Sequence, residues 1–161
     1  WLEEPIIATS TPSAWTKIQS ASPIPIAAGE NIMGTKNFDD AISSGQLDVI
    51  QPDICKWGGI SGNLPVIKNI LKSGARYCPH YLGGGIGLAT SAHLLAAVGG
   101  DGLLEVDSNI NPLREDLFAP QLTCGKIDIG DSIGIGIDNQ HYQDFLSEHS
   151  KIITSNMELK K

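Results

Sequence analysis

Acidic and basic side chains recur along this sequence at a nearly constant spacing, each shortly after an apolar run. They are separated by 27, 23, 27 and 25 residues, and they are Glu3, Glu30, Asp53, His80 and Glu105. A (β/α)₈ barrel of about 250 residues spends about 30 residues on each strand and its helix. The spacing therefore predicts one such group on each of five successive strands. Because catalytic groups of these barrels converge at the carboxyl ends of the strands, we expect all five to surround one opening.

The sequence between these groups alternates short apolar runs with helical periodicity, which predicts parallel strands joined by helices. Residues 1–5 resemble the end of a strand, and further strands are predicted at 24–28, 47–51 and 76–78, with one more opening at 103–104. Helices are predicted from an Asn37 N-cap to a stop at Gly45, over 63–72 before Gly74, and over 88–98. After Pro112 this alternation ends. Residues 125–137 predict a turn or short hairpin, 139–150 one more helix, and the last dozen residues a frayed polar tail.

Composition excludes several classes of protein. The formal net charge of −7 leaves no basic face for nucleic acid. No apolar run reaches the roughly 18 to 20 residues that a membrane span requires. The three cysteines, Cys55, Cys78 and Cys124, are widely separated and odd in number. They predict reduced thiols in a cytoplasmic protein.

Several motifs in order resemble the mandelate racemase/muconate lactonizing family of the enolase superfamily. They are WLEEP at 1–5, IAAGEN at 26–31, QPDICKWGG at 51–59, PH at 79–80, AHLLAA at 92–97 and LEV at 104–106. The resemblance implies an α/β fold that forms the C-terminal part of a (β/α) TIM-type barrel. In this interpretation residues 1–112 are consecutive βα units. Residues 113–161 are a C-terminal extension that packs against the barrel or against a missing capping domain.

The resemblance also implies a role for each of the spaced groups. Glu3 and Glu30 are expected to be two of three carboxylate ligands of Mg²⁺, a hard cation that prefers oxygen. His80 is expected to be the general base and Asp53 the carboxylate that orients it, while Glu105 is expected to hydrogen-bond the developing enediolate. Muconate-lactonizing relatives have a Lys at the position of Asp53, so the mandelate racemase branch is the better match.

Several residues keep a second interpretation. Asp53, after a proline, could be only a turn or helix cap, and Glu4 is interpreted as a structural acid. The glycines at 83–85 could cradle a phosphate, but no P-loop spacing follows, so a loop that lets substrate approach closely is favoured. Lys56 could reach the rim or act as a structural cation.

Two functions of different classes follow. The first is an enzyme that abstracts the proton α to the carboxylate of a small hydroxy-acid, as a sugar-acid dehydratase or racemase. The second is a catalytically incomplete half-barrel that acts only as a folding or assembly unit, because Trp1 does not resemble a natural start. The expected partners are the hydroxy-acid and either a second copy or the N-terminal half of the same protein. The chain alone is expected to be inactive.

Overall fold

Four short parallel strands form the centre of the fold. The computed structural model describes residues 1–117, 121–137 and 139–149. The strands are β1 (Leu2–Glu3), β2 (Ile26–Ala28), β3 (Val49–Ile50) and β4 (Arg76–Tyr77), and they lie side by side in chain order. Each neighbouring pair is parallel. The carboxyl ends of all four strands therefore meet at one edge of the sheet.

A helix follows each strand and returns the chain to the opposite edge. The helices are α1 (Pro12–Ala21), α2 (Thr35–Ser44), α3 (Gly59–Ser73) and α4 (Gly85–Val98). The predicted α/β fold, with parallel strands alternating with helices, is confirmed. The predicted stops after α2 and α3 are also confirmed, because Gly45 and Gly74 adopt left-handed backbone with φ of 63° and 87°.

The helix starts differ from the prediction. Helices α3 and α4 begin at Gly59 and Gly85, four and three residues before the predicted positions 63 and 88. Asn37 is not an N-cap, because α2 begins at Thr35 after Gly34 and the Asn37 side chain donates to the Met33 carbonyl at 2.7 Å. Helix α1 was not predicted. Its signal is the Thr11–Pro12 pair, in which the Thr11 side chain accepts a hydrogen bond from the Ala14 amide and proline occupies the first turn.

The two faces of the sheet bury different residues. Alternate positions of a strand point to opposite faces. On the face toward the helices, Ile50 and Tyr77 of the strands pack against helix residues that include Phe38, Val66 and Ile67. A second cluster is formed by Trp15 of α1 with Ile26 and Ala28 of β2. The other face carries the smaller side chains Ala27, Val49 and Cys78. The larger core therefore lies between sheet and helices and holds the strand ends in place.

The predicted strand at residues 103–104 is wrong. This segment passes beside β4, but the Leu103 amide donates to the Cys78 sulfur at 3.3 Å instead of to a backbone carbonyl. Without backbone pairing no strand forms. The close approach depends on Gly102, where a Cβ would collide with the Tyr77 carbonyl.

The part of the chain after α4 has no further βα unit among the described residues. It contains the four-residue helix α5 (Pro112–Glu115), the strands β5 (Gln121–Thr123) and β6 (Lys126–Asp128), and the helix α6 (Asn139–His149). The last helix is confirmed. The hairpin exists but begins before residue 125, and Cys124 and Gly125 form its turn with φ of 52° and 72°. The predicted tail at 150–161 lies outside the described residues, and no described helix has the length and apolar character of a membrane span.

Candidate active site

The spaced acid and base residues lie at the carboxyl-end edge of the sheet. Glu3 ends β1, and Glu30, Asp53 and His80 follow the ends of β2, β3 and β4 by two to three residues. Glu105 follows α4 and reaches the same region, because its Oε2 accepts a hydrogen bond of 3.2 Å from the Tyr81 amide.

The centre of this edge is a buried pair of His80 and Asp53. The Nδ1 of His80 lies 2.8 Å from the Oδ2 of Asp53, and the two residues are only 2% and 6% exposed. Burial lowers the tendency of the imidazole to protonate, but the hydrogen bond to Asp53 and the charges of Glu30 and Glu105 outweigh it and raise the pKa of His80. Burial works against ionisation of Asp53 too. Hydrogen bonds from His80 and from two backbone amides outweigh that effect and lower its pKa.

Asp53 also caps the turn after β3. Its Oδ1 accepts hydrogen bonds from the amides of Cys55 at 2.7 Å and Lys56 at 3.0 Å, while its Oδ2 faces His80. Asp53 therefore makes both kinds of contact, one with each oxygen, and is not only a turn cap. The turn fixes the carboxylate, and the fixed carboxylate holds the imidazole.

The second nitrogen of His80 faces two carboxylates. Nε2 contacts the Oε2 of Glu30 and lies 3.8 Å from the Oε2 of Glu105. Burial of Glu105 raises its pKa, and the charges of Glu3 and Glu30 raise it further against the opposing effect of His80. A carboxylate at each ring nitrogen stabilises the doubly protonated imidazolium.

Lys56, whose role the sequence leaves open, reaches this edge. Its Nζ lies 3.2 Å from the Oε1 of Glu30, and the Asn31 side chain donates to the same oxygen at 3.1 Å. Asn31 was not predicted as a site residue. Glu30 is thus surrounded by His80 on one side and by Lys56 and Asn31 on the other.

Glu3 is not in direct contact with the His80 pair. It is exposed, and its Oε2 accepts a hydrogen bond of 2.8 Å from the Trp1 indole. No cluster of three His, Cys, Asp or Glu side chains poised to hold a metal ion exists within the described residues. The all-oxygen donors of Glu3 and Glu30 suit Mg²⁺ chemically, but two carboxylates leave most of a six-ligand shell to other groups.

Glu4 joins the ends of β1 and β2, in agreement with its interpretation as a structural acid. Its Oε1 accepts a hydrogen bond from the Gly29 amide at 3.3 Å, and its backbone takes a positive φ of 43°. Gly29 itself has a φ of 146°, and a Cβ there would lie 2.5 Å from the Gln51 amide nitrogen. Only glycine permits this approach of the β2 end to the β3 end.

Tyr81 was also missed by sequence reasoning, and it occupies the space that side chains at Gly83 and Gly87 would need. Its hydroxyl donates to the Gly84 carbonyl at 2.7 Å and contacts the Cys55 thiol. Burial, followed by the charge of Cys55, raises the pKa of Tyr81 to about 12. A Cβ at Gly83 would lie 2.6 Å from this hydroxyl, and one at Gly87 would collide with the ring. Gly83 and Gly87 therefore leave room for the Tyr81 side chain. The sequence signal is the tyrosine together with these glycines, and neither residue type indicates the packing by itself.

Known proteins resemble this chain in both sequence and structure. Residues 1–142 match the family described as enolase C-terminal domain-like. D-galactarolactone cycloisomerase of Agrobacterium fabrum is 30% identical over 148 residues, which are 86% of this chain and 39% of that protein. L-talarate/galactarate dehydratase of Salmonella typhimurium is 29% identical over 136 residues, which are 84% of this chain and 32% of that protein.

Solved structures agree with the sequence comparison. A mandelate racemase/muconate lactonizing enzyme from Bordetella bronchiseptica superposes with a TM-score of 0.83 and 50% identity, over 86% of this chain and 39% of the other. The 3,6-anhydro-D-galactonate cycloisomerase of Zobellia galactanivorans shares the fold with a TM-score of 0.81 at 24% identity, over 92% of this chain and 42% of the other. The chain thus spans well under half the length of the relatives that it matches.

Proposed function

Because this chain belongs to the enolase C-terminal domain-like family, we propose that it carries the acid–base groups that remove the proton α to the carboxylate of a hydroxy-acid. The observation that carries the proposal is the buried His80–Asp53 pair at the carboxyl-end edge of the sheet, with Nδ1 and Oδ2 2.8 Å apart. Glu30 and Glu105 face the other nitrogen of the same ring.

His80 is the proposed general base. Asp53 accepts a hydrogen bond from the Nδ1–H of the neutral ring, which leaves the Nε2 lone pair to take a proton from substrate. Asp53 then stabilises the imidazolium that forms. This allocation requires Glu30 to turn away from Nε2, because that nitrogen cannot accept a proton while it is bound to a carboxylate.

Glu105 is the proposed donor to the oxygen on which charge develops. Its raised pKa lets it keep a proton to a higher pH than an ordinary carboxyl group. A protonated carboxyl group can donate a hydrogen bond to an enediolate oxygen, as a carboxylate cannot.

Glu3 and Glu30 are the proposed ligands of Mg²⁺. Their oxygen donors fit that ion, and Glu30 is only about a quarter exposed, with 23% of its side chain accessible. When bound, the ion would stabilise the negative charge on the substrate carboxylate by several kcal/mol.

Sugar acids are the proposed substrate class, and dehydration is the proposed outcome in preference to racemisation. Support comes from relatives such as L-talarate/galactarate dehydratase and D-galactonate dehydratase of Ralstonia nicotianae. Removal of the α-proton and loss of the β-hydroxyl as water leave an enol, which tautomerises to a 2-keto acid.

The second candidate is an assembly unit without activity of its own. Among the described residues β1 pairs only with β2 and β4 only with β3, so neither outer edge has a strand partner, although residues 102–103 pass beside β4. Leu2 and Leu103, next to those edges, are 41% and 57% exposed. Association with a second copy or with another part of the same protein would cover them. A cytoplasmic location remains a prediction from the three free cysteines.

The proposed activity is tested by incubating the protein with Mg²⁺ and a panel of aldonic and aldaric acids and measuring 2-keto acid. Because the chain alone is expected to be inactive, the measurement is made with the expected partner present, either a second copy or the N-terminal half of the same protein. We expect product from at least one acid and, in His80→Asn, a rate lower by about 10² to 10⁴-fold, the contribution typical of a positioned base. Asp40→Asn on α2 is the matched control. Product formed equally fast by His80→Asn would overturn the base assignment, and no product from any acid would favour the assembly unit.

A further inference from the structure

Arg114 is a buried cation that the proposed chemistry does not use. It lies in α5 and is only 5% exposed. Its Nη1 lies 3.3 Å from Oδ2 of Asp107, and its Nη2 donates to the Asn109 carbonyl and lies 3.3 Å from Oε1 of Glu115. An ionised group is costly to bury unless it is paired. The guanidinium and the Asp107 carboxylate are therefore expected to hold each other in place.

The segment around Arg114 is folded tightly on itself. The Oδ1 of Asp107 accepts hydrogen bonds from the Asn109 amide at 2.9 Å and from the Asn109 side chain at 2.7 Å. The Oε1 of Glu115 accepts one from the Asn111 amide at 3.0 Å. Residues 107–115 thus form a loop that is closed by the guanidinium, and we call it the Arg114 loop.

The Arg114 loop lies against the glycines that follow Tyr81. The Asn111 side chain donates to the Gly83 carbonyl at 3.3 Å. A Cβ at Gly84 would lie 3.4 Å from the Leu113 carbonyl oxygen. The Gly84 carbonyl in turn accepts the hydrogen bond of the Tyr81 hydroxyl at 2.7 Å. Contacts therefore run from the Arg114 loop through the glycines to Tyr81.

Glu105 is joined to this arrangement through its backbone and through its side chain. Its backbone lies two residues before Asp107, at the start of the Arg114 loop. Its Oε2 accepts a hydrogen bond of 3.2 Å from the Tyr81 amide. Because 35% of the Glu105 side chain is exposed, burial alone does not hold the carboxylate in one position. Its place at the site depends on the backbone that carries it.

We propose that Arg114 is a positioning residue that, through its ion pair with Asp107, holds the carboxylate of Glu105 against the Tyr81 amide. The inference rests on the proposed role of Glu105 as the donor to the enediolate. The partners of Arg114 belong to its own loop and are not proposed catalytic groups, so it acts through the backbone. Loss of the ion pair would open the Arg114 loop and release Glu105 from its fixed position.

The test follows the Tyr81 amide in assigned ¹H–¹⁵N spectra and by hydrogen exchange. It uses the full chain at one fixed pH, without substrate or divalent cation. Glu105→Ala gives the reference signal for the lost hydrogen bond. Arg114→Met and Asp107→Asn each break the ion pair, and Asp107→Asn keeps an acceptor oxygen for the loop, so it serves where Arg114→Met does not fold. Lys36→Met, at an exposed ion pair on α2, is the matched control.

Both variants of the ion pair should move the Tyr81 amide signal in the same direction, toward its position in Glu105→Ala. Exchange of this amide should become about tenfold faster, because a hydrogen bond to a charged group is lost. A direct effect of charge would instead move the signal in opposite directions, since one variant removes a positive charge and the other a negative one. Lys36→Met should leave the signal unchanged.

An unchanged Tyr81 amide in both variants, or shifts of opposite sign, would overturn the proposal. Equal acceleration of exchange at Ile67, in the core of α3, would indicate a general loss of stability and would overturn it too. So would a further shift of the Tyr81 signal when Arg114→Met is added to Glu105→Ala. No turnover is measured, so a failed substrate screen and a failed Arg114 test are separate results.

Discussion

At the scale of single residues, the site depends most on the two oxygens of Asp53. One orients His80 and the other caps the turn that carries Cys55 and Lys56. The pair is buried, so its hydrogen bonds compete little with water. Substitutions of Asp53 that remove the contact with His80 alone, or both this contact and the turn cap, should distinguish the effect on catalytic rate from the effect on folding stability.

Asp53→Asn keeps an oxygen for the turn but presents an amide N–H to Nδ1. The ring is then expected to carry its proton on Nε2, which removes the lone pair that faces substrate. We expect 2-keto acid formation to fall by about 10²-fold or more. Asp53→Ala removes the turn cap as well and should be about 1–3 kcal/mol less stable than Asp53→Asn in urea denaturation. Equal stability of the two variants would contradict the capping role.

The pH dependence of stability tests the charge of Asp53. Its pKa is lowered by folding, so its contribution is fully present above the unfolded pKa of about 4 and is lost as the pH falls through the lower folded pKa. We expect the urea midpoint of the wild type to fall more steeply below pH 4 than that of Asp53→Asn. Asp40→Asn, at an exposed ion pair, should follow the wild type. Parallel curves for all three proteins would contradict this account.

Part of the site could be predicted from the sequence because strand and helix lengths set the spacing of its groups. That spacing placed Asp53 and His80 on neighbouring strand ends, and they lie in contact. It could not show the contacts of Lys56 with Glu30 or of Tyr81 with Gly87, since these depend on side-chain direction across loops. Whether Glu3 and Glu30 bind metal remains a prediction.

At the scale of elements, the start of α4 is fitted to the ring of Tyr81. Ala is normally favoured over Gly in a helix by about 1 kcal/mol. Gly87→Ala should nevertheless destabilise the protein by about 1–3 kcal/mol, because its Cβ would overlap the phenol. Gly62→Ala in α3 is the control, since its Cβ would lie 3.5 Å from the Trp57 ring, an ordinary contact. Urea denaturation measures both, and a Gly87→Ala variant as stable as Gly62→Ala would contradict the fit.

The ends of helices α2 and α3 were predicted correctly because the signal for them is local in the sequence. The stops at Gly45 and Gly74 depend on backbone conformation that glycine adopts easily, so the sequence identifies them. The strand expected at 103–104 has the right composition. It fails because a strand needs a backbone partner, and Leu103 finds the Cys78 sulfur instead. Pairing of that kind is not a local property of the sequence.

At the scale of the whole molecule, neither β1 nor β4 has a strand partner on its outer side within the described residues, although residues 102–103 pass beside β4. Exposed edges with apolar neighbours favour association. We expect the apparent mass in sedimentation velocity to exceed 17.1 kDa and to rise with concentration. Leu2→Lys and Leu103→Lys should lower the apparent mass, because a charge at a strand edge opposes association of two edges. Ile133→Lys, at a 98% exposed position, should leave the apparent mass unchanged. A monomer at every concentration would contradict the assembly unit.

The central claim is that His80 removes a proton next to a carboxylate. It is tested most directly by ¹H NMR of aldonic and aldaric acids in D₂O with Mg²⁺, which follows the replacement of the α-proton by deuterium. With the expected partner present, the account predicts exchange that depends on the protein and that falls by at least about 10²-fold in His80→Asn, with the folded spectrum of that variant unchanged. Exchange at the same rate in His80→Asn would contradict it.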